Sequence, residues 1–332
     1  MKSNVPYRAI TLTDVAREAG VSRITASRAL SNPSLVTQAT IEKVRAAVDA
    51  TGYIPNLLAG GLKSNRSMTV AGLVPIISAP QFLPTVKALT ETLASNGYQL
   101  ILGQSGYNNV NQDKLISTMI GRRPDGIVVT GAVQSKEARV RLRSLNIPVV
   151  ETWELSDDPV DMSIGFSHLA VGNAVARYFL SKGWTHCGTA NGSDRRAQLR
   201  VQGFMEAMGN DVVNSVVPAP SSVELGRKAG ADLLERAPGL RAVFCSSDNL
   251  AHGVMLEAQS RGIRIPDELA ICGFGDAEFA AHLLPSLTTV QVDGPEIGRL
   301  AAELILDRCK GKAPASKVID LGYKIVQRGT TE

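Results

Sequence analysis

Hydrophobic positions follow two different rhythms along the chain. In residues 11–51 they recur at helical spacing in three short segments, each with one apolar face. The faces hold Val15, Ala16 and Ala19 in the first segment, Ala26, Ala29 and Leu30 in the second, and Ile41, Val44 and Val48 in the third. Isolated helices below about 12–15 residues are marginal in water. The pattern therefore predicts three helices that pack on one another.

Capping residues mark where these helices begin and end. Thr11 and Asp14 have the spacing of a capping box, and Gly20 favours the left-handed conformation that ends a helix. Ser22 precedes the second segment as an N-cap, and the third follows Thr37. The first two helices, joined by a tight turn, are typical of a helix-turn-helix.

From residue 69 onwards, short apolar runs alternate with longer amphipathic stretches. The strand-like runs are TVAGLVP, YQLILG, DGIVVT, IPVVET, VDMSIGF, HCGTAN, DVVNSVV, RAVFCS, LAICGFG and LTTVQV. Predicted helices between them include residues 82–97, 109–121, 168–183, 221–237, 248–262 and 294–310. This alternation predicts parallel sheets with helices on both faces. Residues 68–332 are many for one sheet, so two stacked α/β subdomains are expected, with ligand bound in the cleft at the strands' carboxyl ends.

Residues 52–67, GYIPNLLAGGLKSNRS, separate the two patterns. Pro55, Gly60 and Gly61 interrupt this stretch, which favours a linker, although NLLAGGL also has the pattern of one or two helical turns.

Charge and cysteine content narrow the function. Residues 1–66 hold nine Lys and Arg against four acidic residues, whereas the remainder has a net charge of −1. A basic head on a near-neutral body favours a polyanionic partner, although an ordinary solvated surface is the alternative. Four dispersed cysteines predict reduced thiols rather than disulfides or a metal site, and no cofactor is expected. The N-terminus has no apolar segment typical of a signal peptide and no run is long enough to span a bilayer, so we expect a cytoplasmic, nucleoid-associated protein.

The second helix of the helix-turn-helix is polar on its outer side. In this motif the second helix enters the major groove of DNA. Arg binds guanine through two acceptors, Ile contacts a thymine methyl group, and Ser and Thr suit phosphates. The predicted contacts are Ser22, Arg23, Ile24, Thr25, Ser27 and Arg28. The alternative is a solvated helix face, against which stand the terminal position, the local positive charge and the linker.

The segment TLTDVAREAGVSRITASRALSNPSLVTQATIEKVRAAVDATGYIPN resembles the N-terminal signature of the LacI/GalR family of bacterial transcription regulators. Later segments resemble the family in the same order, among them PDGIVV, VQGF, AVFCSSDNLAHGV, RGIRIPDELAICGFGD and PSLTTVQVD. The resemblance implies a DNA-binding head (1–55), a hinge helix or linker (56–67) and a periplasmic-binding-protein-like body that binds effector and dimerises (68–332). The implied subdomains are about 68–165 with 292–320, and about 166–291 with 321–332. A homodimer reading a near-palindromic operator is expected.

The resemblance also assigns roles to single residues. Arg23, Ile24 and Arg28 match specificity positions, and Leu62 matches a leucine that wedges between central base pairs. Gly60 and Gly61 depart from the family, since each glycine weakens a helix by about 0.5–1 kcal/mol relative to alanine. The further DNA-binding residues expected are Thr11, Asn32, Tyr53, Asn56 and Ala59.

Arg200 matches the effector-binding arginine of the family. Other candidates stand at strand ends or beside Arg200, and their alternatives are core packing or surface ion pairs. They are Ser78, Gln81, Phe82, Gln104, Thr130, Glu151, Trp153, Arg196, Ser247, Asp248 and Asp276.

The effector expected from the resemblance is a sugar acid. Gly275 occupies a place where many sugar-binding members carry Asp, and the loss of that carboxylate beside Arg200 favours an anion. Several segments, such as VDMSIGFSH, also resemble the gluconate-operon repressor branch. A neutral sugar or a nucleoside remains an alternative. An enzyme is disfavoured because the common nucleotide-binding and hydrolase motifs are missing, and a transport-type binding protein because the head is basic and no export signal is found.

Overall fold

The computed structural model describes residues 10–54, 66–209 and 212–332. The chain divides into two compact units, Met1–Ser67 and Met68–Glu332. Among the described residues, no helix combines the length and the apolar character needed to cross a membrane.

The first unit contains three α-helices around a small apolar core. They are α1 (Leu12–Glu18), α2 (Arg23–Ser31) and α3 (Gln38–Thr51). The capping box of Thr11 and Asp14 is present, and Ser22 Oγ accepts a hydrogen bond from the Thr25 amide at 3.1 Å. Gly20 has a φ of +64° in the turn, as predicted. The buried core consists of Val15, Ala16, Ala26, Ala29, Val44 and Ala47.

The second unit contains two six-stranded, mainly parallel sheets, which confirms the predicted fold class. The strands are β1 (Thr69–Val74), β2 (Gln99–Gln104), β3 (Gly126–Thr130), β4 (Val149–Thr152), β5 (Met162–Gly165), β6 (Cys187–Gly192), β7 (Val213–Val217), β8 (Ala242–Cys245), β9 (Ala270–Phe274), β10 (Thr288–Gln291), β11 (Val318–Asp320) and β12 (Lys324–Val326). The first sheet has the order β11-β5-β4-β3-β1-β2, and the second has the order β12-β10-β9-β8-β6-β7. Among the strand pairs of the described residues, β12 and β10 are antiparallel.

Helices cover both faces of each sheet. They are α4 (Leu83–Ala94), α5 (Asn109–Gly121), α6 (Lys136–Ser144), α7 (His168–Ser181), α8 (Arg195–Met208), α9 (Val223–Arg236), α10 (Asp248–Ser260) and α11 (Gly294–Cys309). The chain passes between the sheets after β5, after β10 and after β11. One apolar cluster extends from Val70, Val128 and Val150 of the first sheet to Phe244 and Phe274 of the second. The sheets therefore share a continuous core, and the carboxyl ends of their strands line a common cleft.

Glycine allows helices α9 and α10 to cross closely. A Cβ atom on Gly253 would lie 2.2 Å from the Val223 carbonyl oxygen, and one on Gly226 would lie 2.4 Å from that of Leu250. Neither helix accepts a larger residue at this crossing without moving.

We therefore expect Gly253→Ala to lower the free energy of unfolding by about 1–3 kcal/mol, because an overpacked helix contact forces the backbones apart. Thermal or urea unfolding measures the change. Gly121→Ala is the matched control, since Gly121 is also helical but a Cβ atom there would have no neighbouring atom within 4 Å. Equal stability of the two variants would contradict the close packing.

Candidate DNA-binding surface and effector site

The outer face of α2 is polar and solvent-exposed. Ala26 and Ala29 turn into the core, which leaves Ser22, Arg23, Ser27 and Arg28 exposed and Thr25 half-buried. Ile24 has 65% of its surface exposed, although it is a large apolar side chain. No salt bridge holds Arg23 or Arg28 among the described residues. This face thus offers two guanidinium groups and one apolar group to a partner.

The other residues predicted to bind DNA are only partly described. Thr11 caps α1, Asn32 is exposed beside the C-terminal end of α2, and Tyr53 packs partly on the core of the first unit. The predictions for Asn56, Ala59 and Leu62 concern residues outside the described ranges.

A cavity of about 280 Å³ lies in the cleft between the two sheets. This volume is near the lower end of small-molecule sites, which span about 300–1,000 Å³. A narrower recess adjoins it and shares Tyr107, Asp194 and Arg196 with it. Its remaining lining includes Gln81, Phe82, Trp153, His168, Arg200, Ser221, Ser246, Ser247 and Phe274.

Helix α8 supplies the positive charge of the site. Asp194 caps its first turn by accepting a hydrogen bond from the Ala197 amide at 3.1 Å. Arg196 and Arg200 are four residues apart on the helix, so both face the cavity. Gly172 and Gly203 let α7 approach closely, because a Cβ on either would lie within 2 Å of a backbone oxygen of the other helix.

Arg200 is a buried cation with no carboxylate within salt-bridge distance among the described residues. Its Nη1 donates to Nδ1 of His168 at 2.9 Å, its Nη2 donates to the Ser246 carbonyl at 2.8 Å, and its Nε has no partner in the described part of the chain. The guanidinium centre lies 3.9 Å from the centroid of the Phe274 ring. Burial lowers the pKa of Arg200 to about 10, so the side chain remains charged at neutral pH.

Arg196 is held by aromatic rings rather than by polar partners. Its guanidinium carbon lies 5.3 Å from the ring centroid of Phe82 and 5.9 Å from that of Tyr107. Its Nη1 is buried and unpaired within the described structure. The neighbouring Arg195, in contrast, forms a salt bridge with Glu154 across the cleft.

Trp153 forms the floor of the recess through an unusual backbone conformation. Its φ is +67°, which is rare for a bulky residue. The indole Nε1 donates to Thr85 Oγ1 at 3.0 Å, and the ring meets Phe82 edge-on with centroids 5.0 Å apart. These contacts fix the ring against the wall of the site.

The structure brings seven of the predicted effector residues together at the cavity or its recess. These are Gln81, Phe82, Thr130, Trp153, Arg196, Arg200 and Ser247. The other five, Ser78, Gln104, Glu151, Asp248 and Asp276, do not line it.

Their side chains have other contacts. Ser78 is exposed, and Gln104 accepts a hydrogen bond from the Ile77 amide. Asp276 forms a salt bridge with Arg328 at 2.7 Å.

Glu151 and Asp248 have structural roles. Glu151 is fully buried and accepts hydrogen bonds from the amides of Val133 and Val160, away from the cavity. Asp248 accepts from the Thr289 hydroxyl at 2.6 Å and from the Ala277 amide at 2.7 Å. The position after a strand did not determine which side of the sheet these carboxylates face.

Asp248 gives rise to a pH-dependent prediction. Burial raises its pKa from 3.8 to about 6. The folded protein therefore keeps this proton to a higher pH than the unfolded chain, so the contribution of Asp248 to the free energy of unfolding falls between about pH 4 and pH 6, by up to about 3 kcal/mol. Asp248→Asn cannot ionise, and its stability relative to the wild type should therefore rise across this range.

Chemical unfolding at several pH values tests this prediction. Asp232→Asn is the control, because hydrogen bonds from Ser215 and Arg236 lower the pKa of Asp232 and its removal should give no such rise. A constant difference between Asp248→Asn and the wild type from pH 4 to pH 6 would refute the prediction.

Several lining residues escaped the sequence analysis. Tyr107 and Glu154 lie beyond strand ends, Asp194 stands just before α8, and His168 begins α7. The spacing of Arg196 and Arg200 would have indicated a shared helix face, which also places Asp194 at the N-cap. Gly275 has a φ of +126°, and a Cβ there would lie 3.2 Å from Gln81. An Asp at this position would thus be strained in this chain.

Comparisons with known proteins agree with this architecture. Residues 11–56 match the family of bacterial regulatory proteins named lacI, and residues 176–331 match a periplasmic binding protein-like domain. The transcriptional regulator GntR of Pseudomonas aeruginosa is 33% identical over 97% of this chain and 95% of its own length.

Solved structures show the same relationship. A LacI-family transcriptional regulator from Silicibacter pomeroyi is 33% identical, with a TM-score of 0.91 over 97% of this chain and 99% of that one. The transcription regulator GntR from Chromobacterium violaceum is 32% identical, with a TM-score of 0.76 over 79% of this chain and 99% of that one. The chain therefore belongs to the LacI family of bacterial regulators: it is a DNA-binding transcription regulator that resembles the gluconate-operon repressors.

Proposed function

We propose that this regulator is a repressor whose affinity for its operator is changed by a sugar acid, such as gluconate or a keto-gluconate, bound between the two sheets. One observation carries the proposal. Arg196 and Arg200 face one cavity, and neither has a carboxylate within salt-bridge distance in the described structure. A ligand carboxylate would supply the missing negative charge and accept hydrogen bonds from buried donors.

The remaining polar groups suit the hydroxyl groups of a sugar acid. Asp194, Thr130 and Gln134 line the larger cavity, and Gln81 and Ser247 line the recess. Glu154 is already paired with Arg195, so it leaves the charge of Arg196 and Arg200 available. The site thus combines an anion-binding end with a polar wall.

On the DNA side, we propose that Arg23, Ile24 and Arg28 read bases and that Ser22, Thr25 and Ser27 contact phosphates or bases. Two heads of a dimer would read a near-palindromic operator in the cytoplasm, and residues 56–67 would connect each head to its body. Effector binding would change the arrangement of the two subdomains and thereby the spacing of the heads. In this role the protein binds its ligand without chemical conversion.

A second candidate is a neutral sugar or a nucleoside. The rings of Phe82, Tyr107 and Trp153 favour it, because aromatic side chains stack on the faces of sugars and bases.

The test combines ligand binding with DNA binding. Isothermal titration calorimetry of the full chain with gluconate, a keto-gluconate, sorbitol and a nucleoside measures the effector preference. Fluorescence anisotropy then measures the affinity for a duplex selected in vitro from a random pool, with and without each ligand. We expect gluconate or the keto-gluconate to bind and to change the DNA affinity. Binding of only the neutral ligands, or no change in DNA affinity, would reject the sugar acid.

A further inference from the structure

The contact between His168 and Arg200 decides how much charge the effector site offers. His168 is the first residue of α7 and is 4% exposed. Its ring lies edge-on to Phe166, with centroids 4.7 Å apart, and 6.1 Å from Phe274. The imidazole thus sits in an apolar setting, with the Arg200 guanidinium as its polar partner.

Hydrogen-bond chemistry fixes the protonation state of His168. A guanidinium has only donors, so Nδ1 of His168 must accept the hydrogen bond from Arg200 Nη1. The ring is therefore neutral and carries its proton on Nε2. Burial lowers the pKa of His168 well below its usual range, and Arg200, Arg196 and Arg195 lower it further, which agrees with a neutral ring.

A neutral acceptor has a different effect from a carboxylate at the same place. An Asp or Glu in contact with Arg200 would form a buried ion pair and cancel the charge that attracts a ligand anion. The histidine holds one edge of the guanidinium, and the Ser246 carbonyl holds Nη2, without adding negative charge. The cation is thus oriented but not neutralised.

We propose that His168 is a specificity-determining positioning residue: as an uncharged acceptor for Arg200, it makes the site prefer ligands with a carboxylate over neutral ligands of the same shape. This inference rests on the proposed function of the cavity and names the group that sets its preference for acids.

The closing experiment compares two variants of equal shape. In Asn and Asp, an oxygen bonded to Cγ occupies the place of Nδ1 of histidine, so His168→Asn and His168→Asp both offer an acceptor to Arg200 and differ only in charge. Calorimetry on the full chain measures the dissociation constants of gluconate and of sorbitol, an open-chain neutral analogue. We expect His168→Asn to bind gluconate within about tenfold of the wild type, and His168→Asp to bind it about 30-fold more weakly than His168→Asn. Sorbitol binding should not weaken between the two variants.

Each result decides between the alternatives. Equal gluconate affinity of the two variants would overturn the proposal, and so would an equally severe loss in both, because the ring itself would then matter rather than its charge. A wild type that binds no sugar acid would instead overturn the proposed function. Should His168→Asp not fold, the ¹⁵N chemical shifts of the His168 ring in the wild type at pH 7 provide the test. They should show a neutral ring protonated at Nε2, and a protonated ring would overturn the proposal.

Discussion

Replacing Arg200 by alanine is expected to abolish the response to the sugar acid while DNA binding persists. The variant removes the buried cation that donates to His168 and Ser246 and lies over Phe274. Charge-assisted hydrogen bonds to a ligand carboxylate contribute about 1.5–3 kcal/mol each, so the loss of a two-point contact should weaken gluconate binding by about 100-fold or more. Calorimetry with gluconate and anisotropy with the selected duplex measure the two activities.

Two further variants separate charge from geometry. Arg200→Lys keeps the charge but loses the planar pair of donors, so its gluconate affinity should lie between those of Arg200→Ala and the wild type. Arg177→Ala removes an exposed arginine from α7 and should leave both activities unchanged. Wild-type gluconate affinity in Arg200→Ala would exclude Arg200 from the effector site.

Replacing both Arg23 and Arg28 by alanine is expected to abolish specific DNA binding while gluconate binding persists. Both side chains are exposed on α2 beside Ile24, and each arginine that contacts a base pair contributes about 1–3 kcal/mol. The two single variants should each weaken binding to the selected duplex by about 10- to 100-fold. Anisotropy titrations at several salt concentrations measure the affinity and its salt dependence.

The salt dependence shows what each arginine contacts. Loss of a phosphate contact reduces the salt slope by about one and weakens binding to all sequences alike, whereas loss of a base contact relaxes specificity at one position. Arg45→Ala is the control, because Arg45 is exposed on α3. If the double variant bound the selected duplex as tightly as Arg45→Ala does, α2 would not be the recognition helix.

Local signals explain how much of the fold could be predicted. The capping box at Thr11 and Asp14 and the N-cap at Ser22 are formed by hydrogen bonds over three residues, so the sequence contains all the participants. The alternation of apolar runs and amphipathic stretches likewise predicted ten strands of two parallel sheets. Strands β11 and β12 have three residues each and lie at sheet edges, and such short edge strands leave little periodic signal.

The candidate site depends on features that the sequence does not encode locally. Val149 and Glu151 face one side of β4, and Val150 faces the other. Strict alternation would place Trp153 with Glu151, but the positive φ of Trp153 turns its ring to the side of Val150 and into the recess. The cavity was therefore predicted at the correct edge of the sheets, while the side chains that reach it depended on this turn and on the crossing of α7 and α8.

The aromatic clasp around Arg196 has a consequence for how effector binding is set energetically. Arg196 belongs to the half of the body built on the second sheet, whereas Phe82 and Tyr107 follow strands of the first, and the salt bridge of Arg195 with Glu154 spans the same gap. An incoming anion exchanges these existing attractions for its own instead of filling an empty gap. Its net binding energy is the difference between the two sets, which sets a threshold concentration below which the regulator does not respond.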